Sequence, residues 1–300
     1  MCPNTSLDPS EKGFMPWELY RKLIDETSRY AYDVYLFHRG ESLMHPRFFE
    51  MVAYAEEKGL LTRLHTNATL LSEEKAYKLL DSGLDFLSFS FDGFTKETYE
   101  KIRVGASFED TLHNILYFLC LKKKYKRSKP YTVVQVLDIP GVKTDLGKKT
   151  QFTQRFHSFP LDEIREIPAH NWAGAIDLVP PKNGARRGIC TFPWYSLTVL
   201  WNGTVVPCPQ DFMGELSLGD ACNRSILSIW NNKRMVAFRQ TMINGHFEDL
   251  TPCNTCDRVL RNTVFRSYVP KQYLSTFLVE HLLGYKWQTL LRKIYDFQAA

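Results

Sequence analysis

Five of the seven cysteines, Cys190, Cys208, Cys222, Cys253 and Cys256, crowd into one stretch, while Cys2 and Cys120 lie in the first half of the chain. An odd number of cysteines in a chain that shows no secretion signal argues for metal or redox chemistry rather than a disulfide framework. Cys253-Asn254-Thr255-Cys256 has a two-residue gap that lets both thiolates converge on one metal ion or cluster. A redox dithiol satisfies the same spacing. Cys208 ends the run Gly203-Thr204-Val205-Val206-Pro207-Cys208, and Cys190 precedes the same turn. Four thiolates from a hairpin and the loop after it would close a tetrahedral set. Cys222, in a polar loop before Ser225, and Cys120, between Leu119 and Leu121, read as small hydrophobic residues instead.

These cysteines need a scaffold, and periodicity supplies one. Helical spacing marks 17–29, 48–58 and 108–124, and Ser72 caps a further helix that stops before Gly83. Strand patterns fall at 33–38, 61–66, 85–91, 131–137 and 163–167, with a short helix at 151–157. Strands alternating with helices imply βα units and a parallel sheet, an α/β fold. Composition shifts between Asn171 and Arg187, which is rich in Gly and Pro; beyond it, 196–200 and 204–206 around Asn202-Gly203 read as a hairpin. Residues 273–297 carry helical spacing broken near Gly284 and read as two short helices; Lys286, Arg292 and Lys293 give them a basic face that could touch a membrane or a partner.

Three hundred residues with 44% hydrophobic and 24% charged side chains describe an ordinary globular chain able to bury a core. No apolar run is long enough to span a membrane and no signal-peptide pattern opens the chain, so the expected compartment is the cytoplasm. A net charge of +5 is too small to argue for nucleic acid, and the basic run Lys122–Lys129 reads as a solvated helix end.

The stretch Cys190 to Cys256 resembles the SPASM/twitch region of radical S-adenosylmethionine (SAM) enzymes, through Cys190, Gly203-x4-Cys208, Leu218-Gly219-Asp220, Ile229-Trp230-Asn231 and Cys253-x2-Cys256. That resemblance implies one auxiliary 4Fe–4S cluster on Cys190, Cys208, Cys253 and Cys256; the longer form of the motif has two more cysteines where this chain has Asn262 and Arg266. The first half is similar to the same family. His38-Arg39-Gly40-Glu41 resembles the GGEP-type motif, with Arg39 for a glycine and Ser42 for the proline, and it implies Gly40 and Glu41 at the SAM amino group. His65-Thr66-Asn67-Ala68 resembles the end of the next strand and implies Asn67 beside substrate or SAM. Ser88-Phe89-Ser90-Phe91-Asp92-Gly93 implies Ser88, Ser90 and Asp92 around SAM, and Tyr99 to Arg103 implies Arg103 on its carboxylate. All of these lie at predicted strand C-termini, where barrel and open-sheet sites form.

The expected architecture is therefore a partial (β/α)6 TIM-like barrel over 1–170 with its first strand missing, a linker over 171–189, a cysteine-rich SPASM/twitch domain over 190–265 and a helical extension over 266–300. Met1-Cys2-Pro3-Asn4 resembles the end of the family's CxxxCxxC motif, which makes Cys2 the third ligand of the SAM-binding 4Fe–4S cluster and implies a truncated start. A chain holding only that thiolate is expected not to cleave SAM. Completed, it is expected to form a 5′-deoxyadenosyl radical that takes hydrogen from a sugar-like small molecule or a peptide, with a flavodoxin or ferredoxin as reductant. An oxidation also needs a base, and Asp211 is the candidate. The rivals are an inactive zinc or iron–sulfur electron-transfer module and a dithiol oxidoreductase using Cys253 and Cys256.

Overall fold

The structure is a computed structural model and describes residues 2–142, 144–177, 190 and 192–257. The tail beyond 257 and most of the linker lie outside the described residues, and with them the expected C-terminal helices. The described residues other than Cys190 fall in one compact unit, and Cys190, which is buried, in a second.

Five parallel strands make the main sheet in chain order: β1 (Asp33–Tyr35), β2 (Leu61–Thr66), β3 (Phe86–Ser90), β4 (Tyr131–Asp138) and β5 (Glu163–Pro168). Helices α1 (Trp17–Thr27), α2 (Phe48–Glu57), α3 (Glu73–Asp81), α4 (Lys96–Ile102), α5 (Phe108–Lys124) and α6 (Leu146–Gln154) alternate with them. This is the α/β half-barrel expected. Alternation along each strand decides what it faces. Leu64, Leu87, Phe89, Val134 and Val136 join the helix-side core with Leu79, Ile115 and Phe118. The opposite parity, His65, Ser88 and Val133, lies in register across β2, β3 and β4.

Ser72 caps α3 by accepting the Lys75 amide, as the sequence indicated. Helix α6 starts earlier than the predicted 151, because Asp145 caps it at Lys148. Helix α4 escapes the sequence reading: it has seven residues and buries only Tyr99, so it has no periodic stripe. Gly93 sets its approach to β3. A Cβ there would stand 2.6 Å from the Tyr99 backbone nitrogen and 2.8 Å from its Cα. Backbone cannot yield as a flexible side chain does, so Gly93→Ala is expected to cost about 1–3 kcal/mol in urea unfolding, the usual range for overpacking.

The cysteine-bearing part is a three-stranded antiparallel sheet, β6 (Thr198–Val199), β7 (Thr204–Val206) and β8 (Gly219–Asp220), followed by α7 (Ile226–Trp230) and α8 (Lys233–Asn244). The hairpin was predicted; β8 and α8 were not. Three expectations need correction. Cys120 is exposed on α5 rather than packed with its neighbours. Cys222 is also exposed, and its thiol donates to the Asn202 carbonyl at 3.5 Å. Lys122 is buried, not solvated: its ammonium bonds Asp162 at 2.8 Å and Thr132 at 3.1 Å, because a deeply placed charge needs both a counter-ion and hydrogen-bond acceptors.

Candidate functional site

The C-terminal ends of the strands carry a connected set of polar side chains. Glu41 caps a short 3-10 turn at Leu43, and its Oε1 also accepts the Thr66 hydroxyl at 2.8 Å while Oε2 accepts the Asn67 amide at 2.9 Å. It thus ties the loop after β1 to the end of β2. Gly40 beside it has φ +76, and nothing lies within 4 Å of where a Cβ would be, so the backbone there is open to a ligand. Asn67 turns its side-chain oxygen onto the amide and hydroxyl of Thr69. Ser42, at the usual proline position, donates to the Leu36 carbonyl at 2.7 Å and holds the turn by a hydrogen bond instead of a ring.

One strand over, Asp92 is 1% exposed and accepts both Nε and Nη2 of Arg103, with Oδ1 taking the Leu137 amide at 3.1 Å. The fork of Arg103 is therefore committed to Asp92 on one side. Among the described residues its Nη1 donates to no protein acceptor. A cleft opens next to this pair between the loops after β3 and β4, lined by Gly93, Phe94, Leu137, Ile139 and Lys148. Ser90 is half-buried at the end of β3. Ser88 is fully buried, and its hydroxyl has no hydrogen-bond partner. An unmatched buried hydroxyl costs on the order of 1–3 kcal/mol. A strand serine normally avoids that cost, so its placement under the ends of β2 to β4 fits a hydroxyl kept for a bound molecule.

His65 lies beside Ser88 in the sheet register, with Phe37 at 4.4 Å and Phe86 at 5.8 Å between ring centroids. Burial, then the cations Arg165 and Arg63, push its pKa down to about 4. The unfolded chain takes up that proton near pH 6.5, so the stability from keeping His65 neutral is complete above pH 6.5 and is lost as pH falls toward 4. Each depressed histidine contributes a slope of about 1.4 kcal/mol per pH unit in that window. His65→Phe should lessen the slope of the pH 4–6.5 part of the urea stability curve, with His38, also held at about 4 by burial, keeping its share; an unchanged slope would show that His65 does not contribute.

The cysteine-bearing loop is tied to the same mouth. Arg39 donates through Nε to the Phe212 carbonyl at 2.8 Å and through Nη2 to the same oxygen, with its guanidinium over the Phe212 ring. Asp211 spends Oδ1 on the Glu215 amide and Oδ2 on the Leu216 amide, both at 2.9 Å. It braces the loop.

Cys208 is half-buried just past β7; Cys253 and Cys256 are 9% and 7% exposed in a turn where the Cys256 amide reaches the Cys253 carbonyl. Cys2 is exposed beside a 3-10 turn. Among the described residues no three His, Cys, Asp or Glu side chains come together as a metal site. The chemistry of the donors, buried thiols with two residues between them, nevertheless suits a thiophilic centre.

Residues 1–128 match the model of the Radical SAM superfamily, and residues 190–257 match SPASM, an iron–sulfur cluster-binding domain. The chain belongs to the radical SAM superfamily. This is a family of enzymes, and its two domains bring SAM and 4Fe–4S clusters as cofactors. The tungsten-containing aldehyde ferredoxin oxidoreductase cofactor-modifying protein of Pyrococcus furiosus is 23% identical over 82% of this chain and 81% of its own length. The S-adenosyl-L-methionine-dependent 2-deoxy-scyllo-inosamine dehydrogenase of Niallia circulans is 29% identical over 31% of this chain and 37% of its own length. The crystal structure of BtrN in complex with AdoMet and 2-DOIA overlays with a TM-score of 0.56 at 19% identity, covering 85% of each chain, which is a likeness of fold. In this radical SAM chain no described helix is long and apolar enough to cross a membrane.

Proposed function

We propose that the protein, once two further CxxxCxxC thiolates accompany Cys2, abstracts a hydrogen atom from a small, sugar-like substrate by radical SAM chemistry. One auxiliary 4Fe–4S cluster would sit on Cys190, Cys208, Cys253 and Cys256, Cys2 would contribute to the SAM-binding cluster, and a flavodoxin or ferredoxin would supply electrons. The observation that carries this reading is the buried, unpartnered Ser88 hydroxyl in the middle of β3, in register with His65. When bound, the cluster and SAM supply one-electron cleavage of the sulfonium and hydrogen abstraction, chemistry that belongs to the cofactors.

The chain's own residues bind and orient. The open backbone at Gly40 receives the amino group of SAM, and Glu41 fixes that loop on β2. Arg103, held by Asp92, turns Nη1 to the carboxylate, and Ser88, Ser90 and Asn67 line the approach. Both oxygens of Asp211 are engaged by backbone amides, which favours a positioning role over proton transfer. The Niallia circulans relative, a 2-deoxy-scyllo-inosamine dehydrogenase, supports a polyol-type substrate.

Ser88→Ala tests the assignment. A hydroxyl that serves SAM should cost about tenfold in affinity when removed, while thermal stability stays level or rises because no protein partner is lost. Loss of stability with unchanged SAM affinity, measured by equilibrium dialysis, would remove Ser88 from the site.

A further inference from the structure

One side chain grips the backbone on both sides of Cys256. Asn171, in the loop after β5, donates from Nδ2 to the Thr255 carbonyl at 2.8 Å and accepts the Asp257 amide on Oδ1 at 3.2 Å. Those two groups belong to the peptide bonds immediately before and after Cys256. A carbonyl only accepts and an amide N–H only donates, so a carboxamide in this one orientation satisfies both. The Asn171 backbone N–H adds a third bond, to the buried Asp257 carboxylate at 3.2 Å. Thr255 extends the contact. Its hydroxyl reaches the Ala173 carbonyl at 2.7 Å, closer than the Pro252 carbonyl at 3.0 Å. A Cβ on Gly174 would stand 2.5 Å from that same hydroxyl oxygen, so the two loops touch directly.

The gripping loop has an unusual backbone. Trp172 and Ala173 both take left-handed angles, φ +51 and +53. Residues with a Cβ adopt that region uncommonly, and such positions gather at active sites and ligand clamps. The turn is closed by the Gly174 and Ile176 amides, which donate to the Asn171 carbonyl at 3.0 and 3.2 Å. It starts from the sheet, where the Ala169 amide donates to the Asp138 carbonyl at 2.9 Å. It presents the Ala173 carbonyl to Thr255, and the Trp172 ring meets Phe212 at 5.2 Å between centroids. Arg39, past β1, holds the Phe212 carbonyl. One loop thus ties the cysteine turn both to the end of the main sheet and to the polar mouth.

We infer that Asn171 and Thr255 are positioning residues for the metal centre of Cys253 and Cys256: they fix where the Cys256 thiolate is delivered relative to the half-barrel. Hydrogen bonds behind the ligands orient them and tune the metal, and their loss typically weakens metal binding about 10–100-fold. In iron–sulfur sites the same surroundings also set the electronic properties of the cluster. The inference rests on the proposed auxiliary cluster only for the identity of the metal; the hydrogen bonds stand without it.

The test uses the 300-residue chain, whose cysteines predict the auxiliary centre alone, about four irons, so no second cluster overlays its signal. After anaerobic reconstitution with iron and sulfide, iron release to bathophenanthroline disulfonate is timed, and the EPR spectrum of the dithionite-reduced cluster is recorded. Asn171→Leu removes both side-chain bonds and should release iron about tenfold faster, with a changed line shape. Thr255→Val keeps the shape but loses the hydroxyl and should act in the same direction, whereas Thr255→Ser restores the hydroxyl and should match the wild type. Asn114→Leu removes a carboxamide bond to the Ala68 carbonyl, away from the cysteines, and should leave release unchanged. If Asn171→Leu does not fold, the Thr255 pair decides. Wild-type release and line shape in a folded Asn171→Leu or Thr255→Val would overturn the inference while the cluster reading stands. So would Thr255→Ser releasing iron as fast as Thr255→Val, or equal acceleration by Asn114→Leu, which would make general stability the cause. A wild-type chain that loads zinc instead sinks the cluster reading, and the same comparison of zinc release then decides the grip; a chain that loads neither metal sinks both.

Discussion

Replacing Cys253 or Cys256 with serine is expected to remove about four iron atoms and a matching amount of sulfide from the reconstituted protein, the content of one cubane cluster. Cys120→Ser and Cys222→Ser should leave the metal content unchanged, since both thiols are exposed and neither belongs to the spaced set. Cys222 has a further reason to be a poor ligand. Partial desolvation of the otherwise exposed thiol, then the hydrogen bond and charge of the Asp220 carboxylate, raise its pKa, which disfavours the thiolate that binds metal. The contrast also separates the rival chemistries. A dithiol oxidoreductase using Cys253 and Cys256 would keep its activity in Cys208→Ser, whereas a cluster ligand at Cys208 makes that variant lose iron as well. A zinc module would show zinc, not iron and sulfide, lost in step with each cysteine.

Asp92→Ala is expected to lower the unfolding free energy by about 3 kcal/mol, toward the low end of the range for breaking a buried ion pair. The carboxylate is almost wholly buried and serves three donors: two from the Arg103 fork and the Leu137 amide. Arg103 is partly exposed, so water recovers some of its loss, which keeps the cost at the low end. Arg103→Lys keeps the charge but not the fork, and should still weaken SAM binding if, as proposed, Arg103 meets the carboxylate from where Asp92 holds its guanidinium. The double change Asp92→Ala with Arg103→Met should cost less than the sum of the single changes, since it leaves no uncompensated charge. Strict additivity in urea unfolding would show that the two residues do not act as a pair.

Much of the half-barrel was legible because its core elements obey local rules. The bounds of α5 and β2 coincide with the periodicity, and β4, a β-branched run, is buried where expected. β1 is shorter than predicted: it is an edge strand, and after the Leu36 amide reaches Arg63 the chain leaves the ladder for the Arg39 and Ser42 contacts. Helix α8 had signals that went unread. Asn232 caps it, Met235, Phe238 and Met242 share its buried face, and Gly245 ends it in the left-handed conformation.

The candidate site was legible in its residue types but not in its partners. Gly40, Glu41, Ser88, Asp92 and Arg103 were candidates by local resemblance, and their roles toward SAM remain proposals. That Arg103 spends its fork on Asp92, that Glu41 braces Thr66, and that Arg39 and His38 grip a loop about 170 residues away are consequences of folding. No spacing rule reaches that far. Asp211 shows the same limit: its closeness to Cys208 suggested chemistry, and no spacing rule announced that both its oxygens accept backbone amides.

The most direct test is reductive SAM cleavage by the full-length protein after anaerobic reconstitution, with iron, sulfide and zinc quantified on the same sample. The radical reading predicts about four irons on the 300-residue chain and about eight where two further CxxxCxxC thiolates accompany Cys2, with 5′-deoxyadenosine and methionine formed only by the latter and only when a reductant is added. About one zinc per chain, little sulfide and no deoxyadenosine would contradict it and leave a structural metal module.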